Sequence, residues 1–384
     1  MTRPIRPMQV VVGGIPPLDD IVGREEETAS VLRSFHGSGA LLTGDRRYGK
    51  TCLGRLVERT SVDAGYAVVR VSAERRSFED FVEALADALA QHSSAVKQEL
   101  ERWRVGLTAG PVTAERRARV RSLDDMVTAA LAAHDSGLLV MIIDEIPVLA
   151  KRMDDDERGS GAELLHLLRR LRQDNAGRLV MVLSGSIGFH HVTKDALGAV
   201  NDVERQPVRP LKEEDAVYLA RCLLLGEAVN TTDDASVAVA IAAAAERVPY
   251  YIHHLVKAAR DRAIHGGGQV APSDIPSLVD AALSDRDDPW DLAHYRDRIP
   301  AYYGVAHTEL ASKVIDIYAD AAGLLSVDEL NARLSTSGLE SAPSRSTLLD
   351  LVTKLEADHY LDRVGDRSHF ASELVRRAWI AHRR

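Results

Sequence analysis

The sequence predicts an α/β fold in its first half, a helical region after it, and a winged helix-turn-helix at its end. Runs that are apolar throughout, LLVMII at 138–143 and RLVMVL at 178–183, indicate strands covered on both faces, as in a parallel sheet flanked by helices. The segments between the strands have helical periodicity, and strand signals cease after Leu211. From about residue 307, three helices precede a hairpin that turns at Gly365 and Asp366, the element order of a winged helix-turn-helix.

The elements of the first half follow in chain order from their residue patterns. They are an amphipathic helix at 23–35, a strand at 39–43, a helix from Lys50 to about Ala64, a strand at 66–72, a helix from Phe78 to about His92, a charged segment of helix and loop at 99–122, the strand at 138–143, a helix around 162–173 and the strand at 178–183. Strands that alternate with helices in this way are typical of a doubly wound sheet.

The chain is predicted to divide into five parts, because 384 residues exceed the size at which one hydrophobic core keeps growing. These are an N-terminal lead at 1–19, the α/β core at 20–207, a helical lid at 208–284, a linker at 285–306 and the winged helix at 307–384. The linker begins at the polar, proline-containing sequence DRDDP.

Composition and charge restrict the class of protein. The net charge of −9 provides no general positive field for nucleic acid. The two cysteines, Cys52 and Cys222, suggest neither a disulfide framework nor a zinc site, which fits a reducing compartment. No apolar run approaches the roughly 18 residues of a membrane span, and the first residues lack the apolar region of a signal peptide. A cytoplasmic protein without a membrane partner is expected.

Residues 44–51, GDRRYGKT, match the phosphate-binding pattern GxxxxGK[ST] in full, between a predicted strand and a predicted helix. Glycines let the backbone wrap a polyphosphate so that amide groups and the helix N-terminus face its negative charge. Lys50 would bridge the β- and γ-phosphates, and Thr51 would give its hydroxyl to Mg²⁺. The predicted ligands of ATP or ADP are Gly44, Asp45, Arg46, Arg47, Tyr48, Gly49, Lys50, Thr51 and Cys52. In this context an ordinary turn is the weaker interpretation.

The strand at 138–143 ends in two carboxylates, Asp144 and Glu145. At the carboxyl end of a parallel strand these side chains reach the crevice where ligands bind. Asp144 suits the outer sphere of the magnesium ion, and Glu145 suits the base that orients or deprotonates attacking water. The alternative is that the pair only begins the next turn. Together with the loop at 44–51 it predicts an ATPase, with Lys50, Asp144 and Glu145 as its catalytic residues.

The strand at 178–183 leads into Ser184-Gly185-Ser186. Ser184 and Ser186 are candidates for a group that senses the γ-phosphate. Ordinary turn chemistry explains the same residues, and both interpretations stay open.

These motifs, with VGRE at 22–25 and RVPYY at 247–251, resemble those of the STAND-class, AAA+-related P-loop ATPases. The similarity is greatest to the archaeal-type ATPase group, which is also similar to the origin-recognition initiators of archaea. The resemblance implies an α/β P-loop NTPase fold with a helical lid and a C-terminal winged helix. It places Val22, Gly23 and Arg24 beside the adenine and ribose, Pro249 in the lid, and Arg247 where a lid arginine can reach phosphate. A solvated arginine at a helix end is the alternative for Arg247.

Two departures from the family pattern favour slow hydrolysis. The sensor position has serine where many AAA+ proteins have asparagine. No arginine stands out as a finger, and charge on a helix surface explains each of four candidates, which are Arg169, Arg170, Arg172 and Arg178.

The first functional hypothesis is therefore an ATP-driven molecular switch that couples nucleotide state to domain orientation or to homo-oligomerisation, and that acts on a separate protein partner in signalling or defence. The alternative is a nucleotide-dependent DNA-binding initiator or transcriptional regulator. The third helix of the winged helix sets two cations against three acids, which favours protein over DNA, although Arg363 and Arg367 on the wing leave DNA open. A scaffold with a degenerate site is disfavoured by the intact motif residues.

Overall fold

The computed structural model describes residues 3–74, 77–91, 96, 98, 112–133, 137–192, 195–266, 268–337 and 343–383. The chain forms two compact units. One is Arg24–Val208, and the other combines Met1–Gly23 with Arg209–Arg384.

The unit Arg24–Val208 contains a five-stranded parallel sheet. Its strands are β1 (Gly39–Thr43), β2 (Ala67–Ser72), β3 (Leu139–Asp144), β4 (Leu179–Ser184) and β5 (Glu204–Pro207). Their order across the sheet is β2-β3-β4-β1-β5, and every neighbouring pair is parallel. The structure thereby confirms the predicted parallel sheet.

Helices cover both faces of this sheet. They are α1 (Glu25–Arg33), α2 (Lys50–Asp63), α3 (Phe78–Ala90), α4 (Val112–Ala133), α5 (Ile146–Asp156) and α6 (Ser160–Asp174). Successive side chains of a strand point to opposite faces. On β3, Met141 and Ile143 pack into the core formed with α3 to α6, whereas Val140 and Ile142 pack into the core formed with α1 and α2. A strand buried on both faces has no polar alternation, which explains the continuous apolar runs in the sequence.

Two elements of this unit lie outside the predicted set. The strand β5 has the sequence ERQP, which carries no apolar run because β5 lies at the edge of the sheet. The helix α5 follows Glu145 immediately and has Pro147 in its first turn, where the missing N–H costs nothing. Of the charged segment at 99–122, the part at 99–111 lies outside the described residues, and α4 begins at Val112.

The second unit is mainly helical. Its helices are α7 (Glu213–Gly226), α8 (Asp234–Ala244), α9 (Pro249–Gly266), α10 (Ile275–Ser284), α11 (His294–Tyr303), α12 (Val305–Ala321), α13 (Val327–Leu334), α14 (Arg345–Ala357) and α15 (Glu373–His382). The N-terminal segment packs on these helices, since Met8 is buried and its N–H donates to the Cys222 carbonyl at 3.0 Å. None of the described helices is both long enough and apolar enough to cross a lipid bilayer.

A small antiparallel sheet lies near the end of the chain. It consists of β6 (Leu325–Ser326), β7 (Leu361–Val364) and β8 (Arg367–Phe370) in the order β6-β8-β7. Glu246, in the turn between α8 and α9, accepts the N–H of Leu374 at 2.7 Å and so caps the first turn of α15. The predicted boundaries between lid, linker and winged helix stay a prediction.

Candidate nucleotide site

The candidate site lies at the carboxyl ends of three neighbouring strands, β3, β4 and β1. The loop 44–49 connects β1 to α2, Asp144 is the last residue of β3, and Ser184 is the last residue of β4. In open parallel sheets this edge is where ligands bind. The order of the strands therefore brings together motifs that lie about a hundred residues apart in sequence.

The loop depends on glycine at its first position. Gly44 has φ +137°, and a Cβ atom there would lie 2.3 Å from the carbonyl oxygen of Val208. That carbonyl is fixed, because the N–H of Val208 donates to the Thr43 carbonyl at 2.7 Å beyond the end of β5. Another residue at this position would have to displace the junction of β1 and β5.

Lys50 is buried, and its ammonium group is bonded to the loop itself. Its Nζ donates to the carbonyl oxygens of Gly44 at 2.7 Å and Asp45 at 2.9 Å. Lys50 is also the first residue of α2, so the ammonium charge lies beside a helix N-terminus, where the helix dipole favours anions. A phosphate held by the loop would therefore meet two sources of positive potential.

The remaining loop residues shape the turn. Asp45 is buried, and its Oδ1 accepts the N–H of Arg46 at 2.6 Å. Arg47 has a left-handed backbone with φ +74°, and the carbonyl of Tyr48 faces the guanidinium of Arg24. Burial is the main cause that raises the pKa of the Cys52 thiol, which keeps it protonated and unreactive at neutral pH.

Asp144, at the end of β3, bonds to side chains of α2 and β4. Its Oδ2 accepts the hydroxyl of Thr51 at 2.8 Å, and its Oδ1 accepts the hydroxyl of Ser184. Carboxylate and hydroxyl oxygens are the hard ligands that Mg²⁺ prefers, so Thr51 and Asp144 fit a magnesium ion. The hydroxyl of Ser184 orients the Asp144 carboxylate from the neighbouring strand.

Glu145 has a strained backbone and a restrained side chain. Its φ of +59° is uncommon for a residue other than glycine, and such strain is often found at functional sites. Its Oε2 accepts two hydrogen bonds from Ser186, one from the N–H and one from the hydroxyl, both at 2.8 Å. Burial is the largest influence on the Glu145 carboxyl and raises its pKa, and the charge of Asp144 adds to this, while Lys50 and Ser186 oppose it.

Two residues that hold Ser186 beside Glu145 were missed by sequence reasoning. A Cβ atom on Gly185 would lie 2.5 Å from Cγ of Pro147, so only glycine allows the exit of β4 to pass this close to α5. The sequence signal was present, since a proline two residues after the acidic pair and a glycine between two serines both mark constrained backbone.

The structure brings together one part of the predicted site. The core unit contains the loop, Asp144, Glu145, Ser184, Ser186 and Arg24. The other unit contains Val22, which is buried, Gly23, whose Cβ position lies 2.7 Å from Cγ of Asp215, and Pro249, the first residue of α9. Arg247 also lies there, exposed and with φ +59°.

Each of the four arginines considered as fingers bonds within its own unit. Arg169 donates to the Gly198 carbonyl, Arg170 to Asp124, Arg172 to Asp202, and Arg178 to the Leu131 carbonyl. Arg172 is fully buried in a bidentate pair with Asp202. Structural contacts therefore account for all four.

Comparison with protein-family models finds that residues 33–193 match the AAA domain family. The matched stretch contains the loop, the acidic pair and both serines. This match assigns residues 33–193, and not the whole chain, to an AAA-type domain. The Walker-type ATPase of Pyrococcus abyssi has a similar fold, with a TM-score of 0.61 and 17% sequence identity over 99% of this chain and 100% of that chain.

The fold is also similar to the ORC2 protein of Aeropyrum pernix in its ADPNP-ADP complexes, with a TM-score of 0.55 and 13% identity over 97% of this chain and 95% of that one. Among curated proteins, a chaperonin GroEL 5 of Bradyrhizobium diazoefficiens is 27% identical over 241 residues. This alignment covers 58% of the present chain but only 42% of that protein. A local similarity of this kind does not indicate a shared activity.

Proposed function

We propose that the protein is an ATP-binding, slowly hydrolysing molecular switch of the STAND and AAA+ type. Its nucleotide state would control domain orientation or self-association, and through these a separate protein partner in signalling or defence. One observation carries the proposal. An ammonium group, a hydroxyl and two carboxylates, from Lys50, Thr51, Asp144 and Glu145, lie at one edge of the sheet. These are the groups that phosphoryl transfer from ATP to water requires.

The proposed roles follow from these positions. Lys50 and the amides of the loop bind the phosphates and orient the γ-phosphoryl group. Thr51 and Asp144 would hold a magnesium ion, which would supply positive charge beside the phosphates. Glu145 accepts the proton of the attacking water, and its raised pKa brings it nearer to the pH at which a general base works best.

Two features support slow turnover. Both hydrogen bonds from Ser186 reach Oε2 of Glu145, so they fix the carboxylate in one orientation and favour its charged form, which makes it a weaker base than burial alone would give. In the described part of the core, the four candidate arginines bond to other groups of the unit. An arginine that stabilises the transition state contributes a factor of about 10³ to 10⁵ to turnover. An ATPase without such an arginine is expected to hydrolyse ATP slowly, as a switch does.

The charge pattern near the end of the chain supports a protein partner. We interpret α12 to α14 and the hairpin β7–β8 as a winged helix. Four of its exposed cations are paired with carboxylates, namely Arg345 with Asp328, Lys354 with Asp350, Arg363 with Glu356 and Arg367 with Glu329, at 2.8 to 3.4 Å. An arginine or lysine that is already paired with a carboxylate releases few counterions when it meets DNA, so its contribution to phosphate binding is small. Leu349 on α14 and Val364 on the hairpin are exposed apolar side chains.

The test compares the wild type with Glu145→Gln, with and without Mg²⁺ and ATP. Light scattering measures the molar mass, and small-angle X-ray scattering measures the radius of gyration. We expect Glu145→Gln to hold ATP and to keep the altered mass or radius that the wild type shows only transiently. If ATP binds and neither the molar mass nor the radius of gyration changes, the proposed switch is refuted.

Duplex DNA provides the test of the alternative. A salt-dependent mobility shift that Arg363→Ala and Arg367→Ala abolish, and that the exposed-site control Arg33→Ala retains, would establish the DNA-binding regulator in place of the protein-directed switch. We expect no such shift at physiological salt.

A further inference from the structure

A buried arginine lies directly behind the phosphate-binding loop. Arg24 is only 2% exposed and precedes α1, whose residue Glu27 is its ionic partner, with Nη1 to Oε1 at 2.8 Å. Its Nη2 donates to the carbonyl oxygen of Tyr48 at 2.6 Å. The backbone of Arg24 is fixed as well, because its carbonyl accepts both the N–H and the hydroxyl of Thr28. The guanidinium is thus a rigid donor aimed at one peptide of the loop.

That peptide joins Tyr48 to Gly49, the residue before Lys50. In a planar trans peptide the C=O and the N–H point in opposite directions, and the described chain has no cis peptide. Since the Tyr48 carbonyl points towards Arg24, the N–H of Gly49 points away from it. Arg24 also lies alongside Gly49, with its Nε 3.9 Å from the Cβ position of that glycine. In loops of this kind the amide N–H groups form the concave site for phosphate.

We propose that Arg24 is a positioning residue for the phosphate site. By binding the Tyr48 carbonyl from behind, it fixes the peptide orientation that presents the Gly49 N–H to a phosphate oxygen, and it does so without contacting the nucleotide. This assignment differs from the position beside the adenine and ribose that the family resemblance implies for Arg24. It rests on the proposed nucleotide binding and adds a residue to it.

The chemistry of the contact requires arginine. A planar guanidinium donates to the Tyr48 carbonyl and to Glu27 at the same time, whereas a lysine ammonium is a compact charge without that fork. A hydrogen bond from a charged donor is about twice as strong as a neutral one. Arg24→Lys therefore keeps the charge but loses the alignment, and Arg24→Met loses both.

The experiment measures the affinity for two ligands, ATP and inorganic tripolyphosphate, by isothermal titration calorimetry with Mg²⁺. Tripolyphosphate contains the phosphates without a base or a sugar. We expect Arg24→Met to weaken both ligands by the same factor, about 10- to 100-fold, because a charged hydrogen bond that orders the site is lost. Arg24→Lys should weaken both by a smaller factor. The matched control is Arg33→Met, an exposed arginine at the end of the same helix, which should leave both affinities unchanged.

Each further outcome is decisive. If Arg24→Met weakens ATP and leaves tripolyphosphate unchanged, Arg24 acts at the base or sugar and the proposal is overturned. Unchanged affinity for both ligands overturns it as well. If Arg24→Met does not fold, Arg24→Lys and Glu27→Gln carry the test, and at saturating ATP they should retain kcat while KM rises. If the wild type binds neither ligand, nucleotide binding itself is refuted. If the wild type binds both ligands and the Arg24 variants bind them with the same affinity, only the role of Arg24 is refuted.

Discussion

Replacing Gly44 by alanine tests whether the loop depends on its junction with β5. The new Cβ atom would meet the Val208 carbonyl oxygen at 2.3 Å, at a φ of +137° that side chains rarely adopt. Overpacking of this kind costs about 1 to 3 kcal/mol, and an unfavourable backbone region costs a further 1 to 3 kcal/mol or so. The sum, about 2 to 6 kcal/mol, is a large part of the stability of an ordinary domain.

Differential scanning fluorimetry of the full chain measures the effect. For a unit of this size, a loss of 1 kcal/mol lowers Tm by about 2 to 4 °C, so Gly44→Ala should lower it by roughly 5 to 20 °C and also weaken ATP binding. The matched control is Gly65→Ala, where φ is also positive at +82° but no atom lies within 4 Å of the Cβ position. Strain alone should cost about 1 to 2 kcal/mol there. Equal losses of Tm in the two variants would refute the role of the Val208 carbonyl.

Two further predictions concern charge. The pKa of Glu145 is raised above its ordinary value of 4.5, so the folded state retains a proton that the unfolded state loses, and stability falls as pH rises from the ordinary value through the raised one. The Tm of Glu145→Gln minus that of the wild type should therefore increase from pH 4 to pH 7, and a pH-independent difference would contradict it. Replacing Asp202 removes the partner of the buried Arg172, and this should lower the free energy of unfolding, measured with urea, by about 3 to 5 kcal/mol. Asp124→Asn, which breaks the exposed pair with Arg170, should cost under about 1 kcal/mol, and equal costs would count against the buried pair.

The parallel sheet and its motifs could be predicted from the sequence because their signals are local. Strands buried on both faces must be apolar throughout, and the predicted strand at 39–43 has the same bounds as β1. The edge strand β5 was not predicted, because an edge strand needs no apolar run. The last helix, α15, was also missed. Its first turn is capped by Ser372 and by Glu246. The contact with Glu246 joins residues far apart in sequence, so no local pattern encodes it.

The candidate site shows the same division. The residue types of Lys50, Thr51, Asp144 and Glu145 are specified by motifs, and the sequence places them at strand ends. The contacts that hold the site depend on tertiary structure. The pairing of β3 with β4 brings Ser186 to Glu145, and the packing of α1 beside β1 brings Arg24 to the Tyr48 carbonyl. These are long-range contacts, so the sequence identified the residues without identifying their partners.

The most direct test of the account is a calorimetric titration of Mg²⁺ and ATP into the wild type and into Lys50→Ala. We expect saturable binding of one ATP per chain by the wild type. Lys50→Ala should bind more weakly by at least about tenfold, because on the proposed function the buried ammonium group would supply a charged hydrogen bond to the phosphates. A wild type that shows no binding, or a Lys50→Ala variant with unchanged affinity, would contradict the assignment of residues 44–51 as the nucleotide site.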